Sequence, residues 1–558
     1  MSLPAFTRGH LCLFFVFILV ILSRKHTVRS FNGDLYPTIY DENDHIVILD
    51  ELNFNKTIFC GNYNESCTAF VVEFYSGWCG HCRAYASVYK RLAKDIGLWS
   101  KFVKVAAINC ADPFNQLTCT ANDIIFYPLI KYFPRNSLDP SAAKLLPPRW
   151  SVAEMRKQIV DSLFDDFFAN KYPDWPDFNF LPSMSTLTGI WSDIPMKTNI
   201  LVLIFDESYN SSAGAQLMLD LWQYSDRIFV KRCLKDHNLA EANHIADFPS
   251  LVVFRRNETY PAFATDIRRL LFGSLEDFLL KEDEVDDRRK SPNNQTDIFC
   301  QANPQICRER FYVSERDLLK ATRYAIFNEV TRSGKQLSGD NLTDLFKFYE
   351  VLAMPLVKSE QVRMIFKHMS EYLKEKRNEI ILMDDYAKEF LKAENESNNP
   401  FPIDDGWDHC AGSNSKFRGY TCALWITFHA LTVSAYKNSL NESEFDPLQP
   451  LLAIRGWVNY FFGCRMCRDH FIRMTSMTFP VDGHVLRPED MHIYLWKAHN
   501  IVNARLKGRE TEDPKFPKNP FPPSFLCKTC AYKNGEYDLN EISKFLVEYY
   551  SAIKPFNG

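Results

Sequence analysis

The run Ala69-Phe70-Val71-Val72-Glu73-Phe74-Tyr75, followed by Trp78-Cys79-Gly80-His81-Cys82, constrains this chain more than any other stretch. It reads as a strand that delivers a Cys-x-x-Cys pair to the start of a helix. A helix N-terminus lowers the thiol pKa of Cys79, and His81 between the cysteines adds further thiolate stabilisation. A pair of this spacing also serves as a structural disulfide or as half of a zinc site, but the Trp and Gly-His context favours redox chemistry. A second pair, Cys464-Arg465-Met466-Cys467, stands far along the chain in an aromatic, helical region. Two such dithiols in one chain suggest that electrons pass between them. The alternative for the later pair is zinc, because Cys464/Cys467 and Cys527/Cys530 together supply four thiolates.

The amino terminus bears on that choice. The apolar run Leu11 to Leu22 follows Arg8 and His10 and is short for a spanning helix, so residues 1–30 read as a secretory signal peptide. Arg24, Lys25 and Arg29 leave an uncleaved signal anchor as the alternative. No later segment is apolar enough to span a bilayer, so no membrane span is expected after signal removal. Asn-x-Ser/Thr acceptors at Asn55, Asn64, Asn210, Asn257, Asn294, Asn341, Asn395 and Asn441 agree with secretion. In an oxidising compartment most of the 16 cysteines should be paired. The close pairs Cys60-Cys67, Cys110-Cys119, Cys300-Cys307, Cys410-Cys422 and Cys527-Cys530 are expected as structural disulfides. Zinc thiolate clusters fit this compartment poorly, so no metal is expected. Cys12 falls in the signal peptide, and Cys233 has no neighbour. A formal charge of -4 shows no basic excess, which argues against nucleic acid as a partner.

A length of 558 residues with 46% hydrophobic content suffices for several cores. Residues 35–165 read as an α/β unit, with strands at 102–108 and 127–133. It looks thioredoxin-like, a resemblance that makes Pro128 the candidate for a cis proline facing the dithiol. Residues 170–285 repeat the pattern weakly, with strand-like runs at 200–205 and 251–254 and Phe248-Pro249 before the second. They contain no Cys-x-x-Cys and read as a redox-inactive thioredoxin-like unit. Residues 286–299 form a linker, 300–395 a helical spacer and 400–550 an aromatic-rich helical unit. The fold class is therefore multidomain, α/β followed by all-α.

In the last unit Trp425 and His429 are four apart and share a helix face. Trp496, His499, Asn500 and Asn503 follow the i, i+3, i+4, i+7 pattern of one face. Cys464, Cys467 and Phe471 line one side of a third helix, with His470 close by. Any one such stripe is ordinarily core packing. Their combination suggests a flat, polar-edged ligand lying between helices.

At these residues the last unit resembles the Erv-type sulfhydryl oxidase fold, a small helical bundle holding FAD. Joined to Cys79/Cys82, an idle second thioredoxin-like unit and a helical spacer, the whole chain resembles the quiescin sulfhydryl oxidase family. The resemblance implies flavin contacts at Arg418, Trp425, His429, His470, Trp496, His499, Asn500, Asn503, Arg505, Lys518 and Phe521. Two positions depart from the family pattern. Met466 stands where an acidic residue is common, and Phe521 where a tryptophan is expected. The implied catalytic residues are Cys79, Cys82, Cys464 and Cys467. Reduced secretory or extracellular proteins would be the dithiol substrates, O2 the acceptor and hydrogen peroxide the product, with the enzyme a monomer in the secretory pathway or outside the cell. The competing readings are a disulfide isomerase using Cys79/Cys82 alone and a secreted binding protein with a degenerate flavin site.

Overall fold

The computed structural model describes residues 38–60, 67–258, 261, 263–266, 305, 311–354, 359–403, 406–441, 444–509, 511–531 and 536–556. The signal peptide, the 286–299 linker and the Cys300-Cys307 pair lie outside the described residues.

The first unit is a five-stranded sheet built from β1 (Val47–Leu49), β2 (Ala69–Tyr75), β3 (Val103–Asn109), β4 (Leu129–Phe133) and β5 (Lys144–Leu146), in the order β1-β3-β2-β4-β5. Every residue of β2 is buried, as its apolar run requires of a central strand covered on both faces. It pairs parallel with β3 and antiparallel with β4. Helix α1 (Gly80–Asp95) leaves the end of β2 and packs against α2 (Val152–Asn170). The Tyr127-Pro128 bond that opens β4 is cis, as is Phe248-Pro249.

The second unit repeats the plan with β6 (Ile200–Asp206), α3 (Ala213–Leu221), β7 (Ile228–Leu234), β8 (Ser250–Arg255) and β9 (Phe263–Asp266), in the order β7-β6-β8-β9. A polar joint ties it to the first unit. Trp99 Nε1 donates to Asp220 Oδ1 at 3.0 Å, and Arg156 Nε donates to Gln216 Oε1 at 2.9 Å. Cys233 on β7 is a buried thiol that burial, with Asp206 nearby, pushes up to about 12. At that value it is chemically quiet.

The helical body contains α4 (Glu315–Arg323), which continues as a π turn (Tyr324–Glu329), then α5 (Gly339–Leu352), α6 (Glu360–Glu375) and α7 (Met383–Glu396). It goes on with α8 (Gly419–Ser439), α9 (Gln449–Phe461), α10 (Arg465–Arg473), α11 (Asp490–Leu506) and α12 (Leu539–Ser551). Helix α4 lies on α8 and α5 lies on α9, so the two helical segments share one core. A parallel pairing of Val313–Ser314 with Ile553–Lys554 ties their far ends. Among the described residues no helix is long and apolar enough to cross a membrane.

Disulfides close Cys60-Cys67, Cys110-Cys119, Cys410-Cys422, Cys464-Cys467 and Cys527-Cys530. Because the last two pairs each close on themselves, their four sulfurs are not gathered into one thiolate set.

Candidate active site

Cys79 is the N-cap of α1, with extended backbone that turns the chain out of β2 into the helix. Cys79 and Cys82 are thiols, both at 0% exposure. Burial raises the Cys79 thiol, but the hydrogen bond from the Cys82 thiol, the N–H groups of Cys82 and His81, and the charge of Arg83 outweigh it. Together they hold Cys79 below the usual thiol range. Cys82 is pushed well up by burial and by Cys79. The pair is thus one ready nucleophile with one protonated neighbour. His81 does not contribute as expected from the sequence. Burial, then the charges of His470, Arg505 and Arg509, depress its imidazole to about 4, so it is neutral at pH 7. Its stabilisation of Cys79 comes through the backbone, and Arg83 carries the positive charge.

Behind the thiols lies Glu73, a carboxyl at 0% exposure on β2 that accepts a hydrogen bond from the Tyr40 hydroxyl. Burial raises it to about 8, partly offset by Tyr40. Such a carboxyl can hold a proton beside the dithiol near neutral pH. Between the ordinary value of 4.5 and about 8 the folded state keeps a proton that the unfolded state has lost, so stability falls as pH rises through that window. Glu73→Gln removes the loss. Its stability relative to the parent should grow by about 1.4 kcal/mol per pH unit across the window. Denaturant unfolding of both proteins at pH 5 and pH 8 measures this, and a constant difference would contradict it.

The first unit is docked on the helical body at its dithiol. Tyr127, before the cis proline, donates its N–H to the Gly463 carbonyl at 2.9 Å, and a parallel β-bridge joins Tyr127 to Cys464. The Trp78 ring stacks on Phe462 at 5.6 Å and meets Tyr420 edge-on at 5.2 Å. Its Nε1 donates to the Tyr324 hydroxyl at 3.1 Å. His81 and His470 face each other at 6.0 Å. Cys464 is the N-cap of α10 at 0% exposure, bonded to Cys467 one helical turn on.

A cavity of about 460 Å³ opens from this junction into the helical body. Cys467 lines it together with Arg418, Trp425, His470, His499, Asn503, Arg505, Lys518 and Phe521. Trp425 and His499 stack with centroids 4.1 Å apart and planes 7° apart, which makes a flat aromatic wall. The remaining residues of the expected flavin set stand one layer back. His429 Nε2 meets His499 Nδ1 at 2.9 Å. Trp496 Nε1 donates to the Phe521 carbonyl, while Asn500 accepts the Phe521 N–H at 2.9 Å and donates to its carbonyl at 3.0 Å. Phe521 is thereby fixed against Tyr549, ring centroids 5.5 Å apart. Met466 does not line the cavity and is 41% exposed.

The donor set of this cavity fits FAD. Arg83 Nε and Nη1, Arg418 Nε, His470 Nδ1 and Thr511 Oγ1 are buried and meet no hydrogen-bond partner among the described residues, although all belong to the lining. Burial, then the charge of Arg418, depresses Lys518 to about 8. Arg418 also holds a strained backbone, φ 63° and ψ -104°, with its guanidinium 4.1 Å over Phe516. A flat wall with a cationic, under-satisfied end calls for a planar ring system carrying phosphates.

The sequence did not single out Tyr40, Phe462 or Glu73. Only Glu73 carried a local signal, as an acid inside an apolar strand run.

Similarity to known proteins agrees with this architecture. Residues 45–144 match the thioredoxin family model, and residues 422–522 match that of the Erv1 / Alr family. Sulfhydryl oxidase 1 of Cavia porcellus is 31% identical over 92% of this chain and 82% of its own length. Sulfhydryl oxidase 1 of Homo sapiens is 30% identical over 87% of this chain and 64% of its own length. Sulfhydryl oxidase 2 of Homo sapiens is 28% identical over 87% of this chain and 70% of its own length.

Proposed function

Since this chain belongs to the quiescin sulfhydryl oxidase family and is a thiol oxidase, we propose that it makes disulfides in secreted proteins by an internal relay from Cys79/Cys82 to Cys464/Cys467 and FAD. The reading is carried by one observation, the docking of the buried Cys79/Cys82 dithiol onto the segment that bears the Cys464-Cys467 disulfide.

In the first step a client thiolate attacks the Cys79-Cys82 disulfide to give a mixed disulfide. The second client thiol resolves it, which leaves an oxidised client and the reduced Cys79/Cys82 pair. Neither cysteine is exposed in the docked arrangement, so client entry requires the first unit to swing away. On redocking, the Cys79 thiolate attacks the Cys464 sulfur and Cys467 leaves as a thiolate. Cys82 then attacks Cys79 and frees Cys464, so two electrons have moved between the pairs. Cys464 takes the first attack because it lies at the Tyr127 bridge, whereas Cys467 lines the cavity. In its ionised form Glu73 is placed to take the Cys82 proton. When bound, FAD supplies the two-electron acceptor from which O2 is reduced to hydrogen peroxide. Trp425, His499 and Phe521 would hold its planar part, and Arg418, Lys518 and Arg505 its anionic part. The setting proposed is the secretory pathway and the extracellular space, supported by the disulfide-rich fold and the glycosylation acceptors. The enzyme works as a monomer on reduced proteins.

The purified protein is expected to be yellow, to hold FAD without a covalent link and to produce hydrogen peroxide as it consumes thiols. Acid precipitation should release the flavin to the supernatant. Flavin retained in the pellet would contradict non-covalent binding. A colourless protein that only reshuffles disulfides would replace the oxidase relay with an isomerase.

A further inference from the structure

We propose that Arg332, held by Glu329, is a positioning residue that clamps the Tyr127 loop of the first unit onto Gly463-Cys464 for transfer between the cysteine pairs. The proposal rests on the relay reading above and names what sets the strength of the docking.

Glu329 ends the π turn that follows α4 and Arg332 lies three residues on, with side chains 0% and 5% exposed. A buried ion pair is by itself weak support for stability, because desolvation offsets the attraction. What distinguishes this pair is where its remaining hydrogen bonds go. Arg332 Nε donates to Glu329 Oε2 at 3.1 Å, and its Nη2 donates to the Phe461 carbonyl at 2.6 Å. Its Nη1 reaches the other unit and donates to the Ile125 carbonyl. The guanidinium also lies 5.2 Å from the centroid of the Tyr127 ring. Glu329 Oε2 accepts the Gly463 N–H at 3.1 Å, and the Gly463 carbonyl accepts the Tyr127 N–H at 2.9 Å.

These bonds form one chain from the guanidinium through Glu329 and Gly463 to the Tyr127 loop, closed by the direct bond to Ile125. It encloses the backbone immediately before Cys464. The absence of a side chain there lets the ion pair lie against the backbone. A Cβ at Gly463 would sit 2.9 Å from Arg332 Nη2 and 3.0 Å from Glu329 Oε2.

The contacts divide cleanly between the two bodies. Glu329, Phe461 and Gly463 belong to the helical body and stay with Arg332 when the first unit leaves. Ile125 and Tyr127 belong to the first unit and are lost. Glu329 therefore keeps the arginine charged and aimed while the site is open, and the planar fork is ready for the returning carbonyl. Docking then holds the Cys464 sulfur where the Cys79 thiolate attacks it, with Cys467 departing.

The test uses the full chain with FAD bound. In a Cys82→Ser, Cys467→Ser background, Cys79 and Cys464 are left to form one disulfide with each other. Equilibration against reduced and oxidised glutathione gives the effective concentration of Cys79 toward Cys464. Arg332→Lys keeps the charge beside Glu329 but cannot fork to both carbonyls. It should lower that effective concentration by at least about tenfold, the scale of losing a hydrogen bond to a charged group. The charge-free Glu329→Gln, Arg332→Met protein should lower it similarly, and serves where Arg332→Lys folds poorly. With the cysteines restored, Arg332→Lys should slow oxidation of a protein dithiol and leave small-dithiol oxidation at Cys464/Cys467 unchanged. Equal effective concentrations in all variants would overturn the clamp and leave the relay standing. Parallel loss of small-dithiol oxidation would make Arg332 a purely structural residue and also overturn it. Failure of Cys79 and Cys464 to pair even with Arg332 present would sink the relay, and the clamp with it.

Discussion

Cys467→Ser is expected to stop oxidation of protein and small dithiols alike, by about 1000-fold or more, the scale seen when a nucleophile is removed. Cys464→Ser should instead leave an unpaired Cys467 thiolate at the cavity. With FAD bound it can donate charge to the electron-poor ring, and a long-wavelength absorption band should appear. The asymmetry follows from placement, since Cys467 lines the cavity while Cys464 faces the Tyr127 bridge. Arg465, between the two cysteines, lies 4.7 Å over Phe126, toward the first unit. Base titration of both variants with visible spectra decides the roles. A band in Cys467→Ser would exchange them, and surviving small-dithiol turnover in that variant would remove Cys467 from the reaction.

The parts legible in the sequence were those set by short-range spacing. A fully buried strand leading into Cys-x-x-Cys needs only β2 and the first turn of α1, and both are contiguous. Cys60-Cys67, Cys110-Cys119, Cys410-Cys422 and Cys527-Cys530, short-range pairs expected as structural disulfides, are closed, while Cys79 and Cys82 stand as thiols. The stripe on α11 shows where such reading stops. Helical spacing does put Trp496, His499, Asn500 and Asn503 on one side, but the side is broad. The i, i+4 pair His499/Asn503 faces the cavity, while the i, i+4 pair Trp496/Asn500 is turned toward the Phe521 backbone. Periodicity cannot separate those two edges of one stripe. The docking was illegible for a different reason. Tyr127, Gly463 and Arg332 come from distant segments and meet through backbone N–H and carbonyl groups, which every sequence possesses. The neutral state of His81 was equally illegible, because it follows from burial at the junction and from the charges of His470, Arg505 and Arg509, which are remote in sequence.

Cys79→Ala and Cys82→Ala should each abolish rapid oxidation of protein dithiols while slow oxidation of small dithiols persists. Cys464 is fully buried, and the residues before it are covered by the first unit through the Tyr127–Gly463 pairing and the stacking of Trp78 on Phe462. A folded client cannot insert a cysteine there, whereas a small dithiol can reach the pair when the first unit swings out. The tethered dithiol overcomes this by presenting its thiolate at an effective concentration of order millimolar, against about micromolar for a free client. Loss of the tethered thiols should therefore lower protein-dithiol turnover by roughly 100-fold or more. Flavin content and the visible spectrum should remain those of the parent, because neither cysteine lines the cavity. The two alanine variants should differ in one respect. Cys82→Ala loses the thiol hydrogen bond to Cys79 but keeps the N–H groups of residues 81 and 82 and the Arg83 charge beside it, and should accumulate mixed disulfides with clients, trapped for want of the resolving thiol. Cys79→Ala retains only the thiol that burial holds protonated and should trap few. Steady-state oxygen uptake with a reduced protein and with a small dithiol, followed by non-reducing electrophoresis, measures both effects. If the two activities fell together in either variant, electrons would not enter through Cys79/Cys82 as a separate station, and the two-site relay would be wrong.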